Sequence, residues 1–166
     1  ITTKEQMLDE MCATLGGRAA EELFTGHISS GALNDLERVT KQAYSMIAYL
    51  GMSERLPNLC YYNNDEYNFT KPYSDQTAQL IDEEVKQMIA EQYERAKSLL
   101  REHQEGHAEL AKILVEREVI FAEDVEKIFG KRPWTSRTEE LLSMNEELPG
   151  DEMAQDADEQ KEEQPA

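Results

Sequence analysis

Residues 75–102 place Ala78, Ile81, Val85, Met88/Ile89, Gln92, Ala96 and Leu99/Leu100 along one stripe at helical spacing, directly after Ser74, a residue suited to cap a helix. A stripe sustained over that length commits the chain to a long helix, and every other element must offer an apolar face to it. The first segment does so. Thr3, three residues before Gln6, forms a capping box, and Met7, Met11, Leu15, Ala19 and Leu23 then recur every fourth residue until Gly26 offers a stop. A second helix is expected from about 34 to 50, with Leu36, Val39, Ala43, Met46, Ile47 and Leu50 on one face and Gly51 after it. Two shorter helices, about 106–117 and 122–129, flank the apolar connector Val119-Ile120-Phe121. Residues 52–73 follow neither period, and read as a long aromatic-rich loop that either lines a substrate path or packs its Tyr and Phe side chains on the long helix. The expected fold is mainly α and bundle-like.

Charge divides the chain. Its 166 residues carry 17 basic and 35 acidic side chains, a formal −18. Eleven of the acids and only one base, Lys161, lie between Glu139 and Ala166. A segment so charged and so poor in apolar residues cannot offset its ordering entropy, so the reading is a folded part over residues 1–131 and a disordered acidic tail over 132–166, with a transitional piece to Met144 around Trp134. The net charge argues against nucleic acid or an anionic membrane surface as direct partners. No apolar run approaches the roughly 18 residues that span a bilayer. Cys12 and Cys60 match no metal or redox spacing and read as two reduced thiols.

Three features bear on chemistry. His103 and His107 stand at i and i+4, a zinc-compatible spacing, but Glu105 sits at the midpoint, about 200° around a helix from His103, where it could not serve a metal held by the pair. A solvated junction between helices is the expected role. Asn34 with Glu37 reads as a capping box, which makes Asp35 an acid favoured by the helix dipole; the same carboxylate could ligate a metal if partners existed, and His27, Glu21 and Glu22 are the nearest in sequence. Gly16-Gly17, inside a helix at about 1 kcal/mol each against alanine, implies a close approach there by another helix or a site.

The motifs Leu15-Gly-Gly-Arg-Ala-Ala-Glu-Glu-Leu23, Gly26, Ser30-Gly-Ala-Leu-Asn-Asp-Leu36, Gly51-Met52-Ser53, Ser74-Asp-Gln-Thr-Ala-Gln-Leu-Ile-Asp-Glu-Glu-Val85, Tyr93-Glu-Arg-Ala-Lys97 and Leu114-Val-Glu-Arg-Glu118, in that order over residues 1 to about 130, resemble the peptidase domain of the FtsH family, membrane-anchored ATP-dependent zinc metalloproteases. Loop segments 56–62 and 68–73 resemble versions from Bacteroidetes. The resemblance implies a zinc-assisted peptide hydrolysis whose HExxH helix, P-loop ATPase (ATP and Mg2+) and transmembrane part lie outside residues 1–166. It therefore implies no catalytic residue in this chain and no activity for these residues in isolation. It implies Asp35 as the third zinc ligand, with Leu33-Asn34 where Ser-Asn is commoner, and Glu21 or Glu22 as a carboxylate supporting the site. It further implies polypeptide substrates, a homo-hexamer, and a place at the cytoplasmic face of the bacterial inner membrane reached only through the absent N-terminal segments. The alternative reading is a non-catalytic helical module that binds partners through residues 75–117 and the acidic tail.

Overall fold

A computed structural model describes residues 1–61 and 71–133; the expectations for the acidic tail, for Trp134 and for the middle of the 52–73 loop lie outside the described residues. All regular elements among them are helical, the sole β pairing being an isolated antiparallel bridge between Met52 and Pro57. They are α1 (Lys4–Ala20), α2 (Leu33–Tyr44), α3 (Asp75–Glu102), α4 (Gln104–Arg117) and α5 (Ala122–Phe129). Helices α1 and α2 each end in a wider π-helical turn, Glu21–Thr25 and Ser45–Tyr49. No described helix is long and apolar enough to cross a membrane. Contacts divide the chain into two compact units, residues 1–111 and residues 112–166.

In the first unit α3 is the spine. Its 28 residues extend about 42 Å at 1.5 Å per residue, and the Ser74 hydroxyl accepts the Thr77 N–H to cap it. Ile81 and Val85 from α3 meet Met11 and Leu15 from α1, and Val39, Ala43, Met46 and Ile47 from α2 and its π turn, in one buried cluster. The stripes read from sequence thus face inward, save at their ends: Leu50 and Leu99 are about half exposed. Polar ties hold the same three helices in register. Arg95 reaches Asp9 at 2.6 Å, Arg38 bonds Glu10 at 3.1 Å and Thr14 at 3.0 Å, and the Gln42 amide donates to the Met7 carbonyl at 3.1 Å.

After α2 the chain folds back on itself. Gly51, at φ +60°, turns it, the Asn58 N–H donates to the Gly51 carbonyl, and the Tyr61 N–H donates to the Ala48 carbonyl at 2.7 Å. The Ser53 hydroxyl accepts the N–H groups of Arg55 and Leu56 and donates to Glu84 of α3 at 2.7 Å, pinning the turn to the spine. Tyr61 and Tyr73 meet edge to face at 5.2 Å and pack on the core cluster, so these two loop aromatics serve packing.

Two expectations are corrected. The Asn34 capping box does not form: α2 begins one residue earlier, at Leu33, after a 3-10 turn Ser30–Ala32 that Ser29 caps, and Glu37 pairs with Lys41 at 2.6 Å instead. The close approach at Gly16-Gly17 is also absent, since a Cβ on either glycine would meet nothing within 4 Å among the described residues.

In the second unit, Glu118 at φ +60° ends α4. Asp124, buried on α5, accepts the Phe121 N–H at 3.0 Å and pairs with Arg117, and these contacts, the Phe121 bond foremost, hold its carboxyl below the usual range. Val119, Phe121, Val125 and Phe129 are left exposed.

Candidate metal-ligand site at the start of the second helix

The end of α1 and the start of α2 are joined by a short, heavily hydrogen-bonded turn, and the candidate residues all lie along it. Gly26, at φ +70°, closes the π turn by donating its N–H to the Glu22 carbonyl. The Thr25 hydroxyl donates to the Glu21 carbonyl at 2.7 Å and accepts the His27 N–H. His27 is exposed.

Adjacent in sequence, Glu21 and Glu22 point to different tasks. Glu21 reaches forward: its Oε1 accepts the Ser29 hydroxyl at 2.5 Å and its Oε2 the Ser29 N–H at 3.3 Å. These bonds hold its carboxyl below the ordinary glutamate range. Glu22 reaches across to α3, where it accepts the Tyr93 hydroxyl and lies 3.5 Å from the Lys97 ammonium. The Tyr93 bond, then the Lys97 charge, holds it low as well. Lys97 is buried, over the Tyr93 ring at 4.7 Å and paired with Glu94 at 2.7 Å. Its long aliphatic stem fills space among apolar neighbours while its charge is met by two carboxylates. Neither glutamate forms an ion pair with Arg18 among the described residues.

Asp35 stands in the first turn of α2, exposed, and no described side chain hydrogen-bonds or pairs with it. An anionic oxygen ligand at a helix start is favoured by the dipole whether or not it binds a metal. What distinguishes Asp35 from Glu21 and Glu22 is that their lone pairs are committed and its own are not. No group of three metal-ligating side chains gathers among the described residues. The donor set present therefore fits one ligand of a shared centre, not a site that holds zinc alone.

Beside this turn, an open groove of about 630 Å³ runs between α1, α2 and α3, floored by Leu15, Leu36, Val85 and Ile89 and edged by Arg18 and Lys86. Asp35 is not among its lining residues, although its neighbour Leu36 is. The His103/His107 pair is not a ligand set either. His103 lies in the break between α3 and α4, and the His107 ring stacks on Phe24 at 4.7 Å and 13°. Sequence reasoning missed Ser29 and Lys97. A serine two residues before a glycine signals such a turn, but nothing in the local pattern shows that Lys97 is buried.

Among the described residues the fold is helical and leaves one carboxylate at a helix start uncommitted, and comparison with known proteins identifies the class of protein that this helical fold belongs to. Residues 1–128 match peptidase family M41, and the chain belongs to that family. It is 62% identical over 152 residues, 90% of its length, to the ATP-dependent zinc metalloprotease FtsH of Parabacteroides distasonis. It is 47% identical over 82% of its length to the mitochondrial ATP-dependent zinc metalloprotease FTSH 3 of Arabidopsis thaliana. It is 41% identical, again over 82%, to the mouse mitochondrial inner membrane m-AAA protease component AFG3L2. The chain spans only about a fifth of these relatives, 22%, 17% and 17% of their lengths.

Proposed function

We propose that this chain is the part of an ATP-dependent zinc metalloendopeptidase that supplies the third zinc ligand, Asp35, and the helical scaffold behind it. The carrying observation is that Asp35 is exposed and, among the described residues, without a partner, whereas Glu21 and Glu22 are both engaged. Membership of family M41 and the zinc named in the relatives support the same reading. The two histidines and the general-base glutamate of an HExxH helix would come from outside residues 1–166, as would the ATPase that uses ATP and Mg2+. When bound, zinc supplies Lewis-acid polarisation of a scissile peptide carbonyl. This chain's share is to hold Asp35 at a fixed point: α1 and α3 form the rigid backing, the core residues seat the shaft of α2, and the 26–32 turn sets its first turn.

By the same reading the peptidase part ends near residue 131, its substrates are polypeptides, and it works as a homo-hexamer at the cytoplasmic face of the bacterial inner membrane, anchored by segments outside this chain. The 166 residues alone would hold no complete centre.

The test is Asp35→Asn in the whole protein. Asparagine keeps the size and the helix-start compatibility, so a purely structural aspartate predicts a change of a few tenths of a kcal/mol. A ligand predicts large loss of bound zinc and of proteolysis with ATP hydrolysis retained. Full zinc and full peptidase activity in the variant would refute the assignment.

A further inference from the structure

We propose that Ser29, anchored by Glu21, is the positioning residue that fixes where the Asp35 carboxylate stands; this rests on the reading of Asp35 as a metal ligand. Ser29 joins α1 to the start of α2 through one side chain. Its hydroxyl donates to Glu21 Oε1 at 2.5 Å and its N–H donates to Glu21 Oε2 at 3.3 Å, so both carboxylate oxygens close on the same residue. The same hydroxyl accepts the Gly31 N–H at 3.2 Å and thereby shapes the Ser30–Ala32 turn. That turn runs straight into Leu33, and Asp35 follows in the first turn of α2.

Nothing else in the described structure does this work. Ala32, at the start of α2, provides no side-chain cap. Arg38, through Glu10 and Thr14, fixes α2 only one turn further on. Gly31 gives a separate indication that the hydroxyl's place matters: a Cβ there would lie 3.3 Å from Ser29 Oγ, so any larger residue presses on the hydroxyl. Hydrogen bonds to an ionised carboxylate are roughly twice as strong as neutral ones, which suits Glu21 to the role of anchor. A metal ligand must be held to within about half an ångström of its working position, and loss of the groups that orient ligands typically weakens metal binding 10–100-fold.

The experiment uses the full-length protein and reads the zinc dissociation constant by competition with a chromophoric chelator, together with the thermal midpoint. Ser29→Ala and Glu21→Ala are each expected to weaken zinc 10–100-fold, and the double variant no further than the weaker single one. Ser29→Thr, which keeps the hydroxyl, should stay within about threefold of the parent. Arg38→Ala should lower the thermal midpoint while leaving zinc affinity unchanged. Zinc binding within twofold of the parent in Ser29→Ala, while Asp35→Asn loses zinc, overturns the positioning role and leaves the ligand reading standing. Retention of zinc by Asp35→Asn overturns both. Loss of zinc in proportion to thermal midpoint across Ser29→Ala and Arg38→Ala reduces Ser29 to general stability and overturns the proposal.

Discussion

Gly51→Ala should be among the most damaging single-methyl additions this domain can receive. Gly51 sits at φ +60°, where an L side chain costs about 1–2 kcal/mol. The new Cβ would also lie 2.9 Å from the Asn58 Cα, 2.9 Å from the Leu59 nitrogen and 3.0 Å from the Asn58 nitrogen. These are backbone atoms, held by the Asn58-to-Gly51 hydrogen bond and by the Met52–Pro57 bridge, so they cannot swing aside as a side-chain tip would. Overpacking of this kind costs about 1–3 kcal/mol more. Gly26→Ala separates the two effects, because Gly26 shares the positive φ, +70°, but a Cβ there meets nothing within 4 Å. Both alanines restrict the unfolded chain equally, so that contribution cancels. The expected order is parent, Gly26→Ala, then Gly51→Ala lower by a further ~1–3 kcal/mol. At about 4–8 °C per kcal/mol for a domain near 100 residues, the gap between the two variants is at least about 4 °C. Thermal melts followed by circular dichroism read it directly. Coincident melts for the two variants would refute the argument that the loop backbone at 58–59 is rigid.

Ser74→Ala should cost about 1 kcal/mol in denaturant unfolding through loss of the Thr77 cap, whereas Asn34→Ala should cost almost nothing, since Asn34 caps nothing; equal losses would return the start of α2 to residue 34. The low carboxyl pKa values of Glu21 and Glu22, caused first by Ser29 and by Tyr93, mean that the fold binds fewer protons than the unfolded chain does. Their contribution is therefore complete above the ordinary glutamate value of about 4.3 and is lost as pH falls through the lower folded values. The Glu21→Gln/Glu22→Gln variant should show a shallower loss of denaturant midpoint below about pH 4.5 than the parent, and an unchanged slope would count against both contacts.

Much of this architecture could be read from residue order because its signals are local. Thr3 with Gln6, Ser74 before the long stripe, Gly26 as a stop, and the 122–129 helix all appear where spacing placed them. The misses share one cause, which is that the deciding partner is distant or is a backbone group. Asn34 looks like a cap, but the chain enters α2 through a 3-10 turn that Ser29 caps, held by Glu21 eight residues back, and α2 itself starts without a side-chain cap. Lys97 looks like a solvated lysine, and its burial is visible only in three dimensions, where Glu22, 75 residues away, and the Tyr93 ring join the local Glu94 around its charge. The candidate ligand followed the same pattern. Spacing left Asp35 open between cap-region acid and ligand, the resemblance to FtsH proteases singled it out, and the structure added that its neighbours' carboxylates are already engaged.

The spine-like α3 also has a consequence for how this chain is made. Its partners in α1 are far behind it in sequence: Asp9 and Arg95 are 86 residues apart, and Glu22 and Tyr93 are 71 apart. At a synthesis rate of about 5–20 residues per second, α1 waits roughly 4–17 s for the helix that covers its apolar face. In that interval the core around Met11 and Leu15 has only α2, its π turn and the following loop, without Ile81 and Val85. Long-range contacts of this sort slow folding and leave apolar surface exposed in the meantime. A pause in translation before residue 75 would lengthen the exposure, and a pause after residue 102 would not.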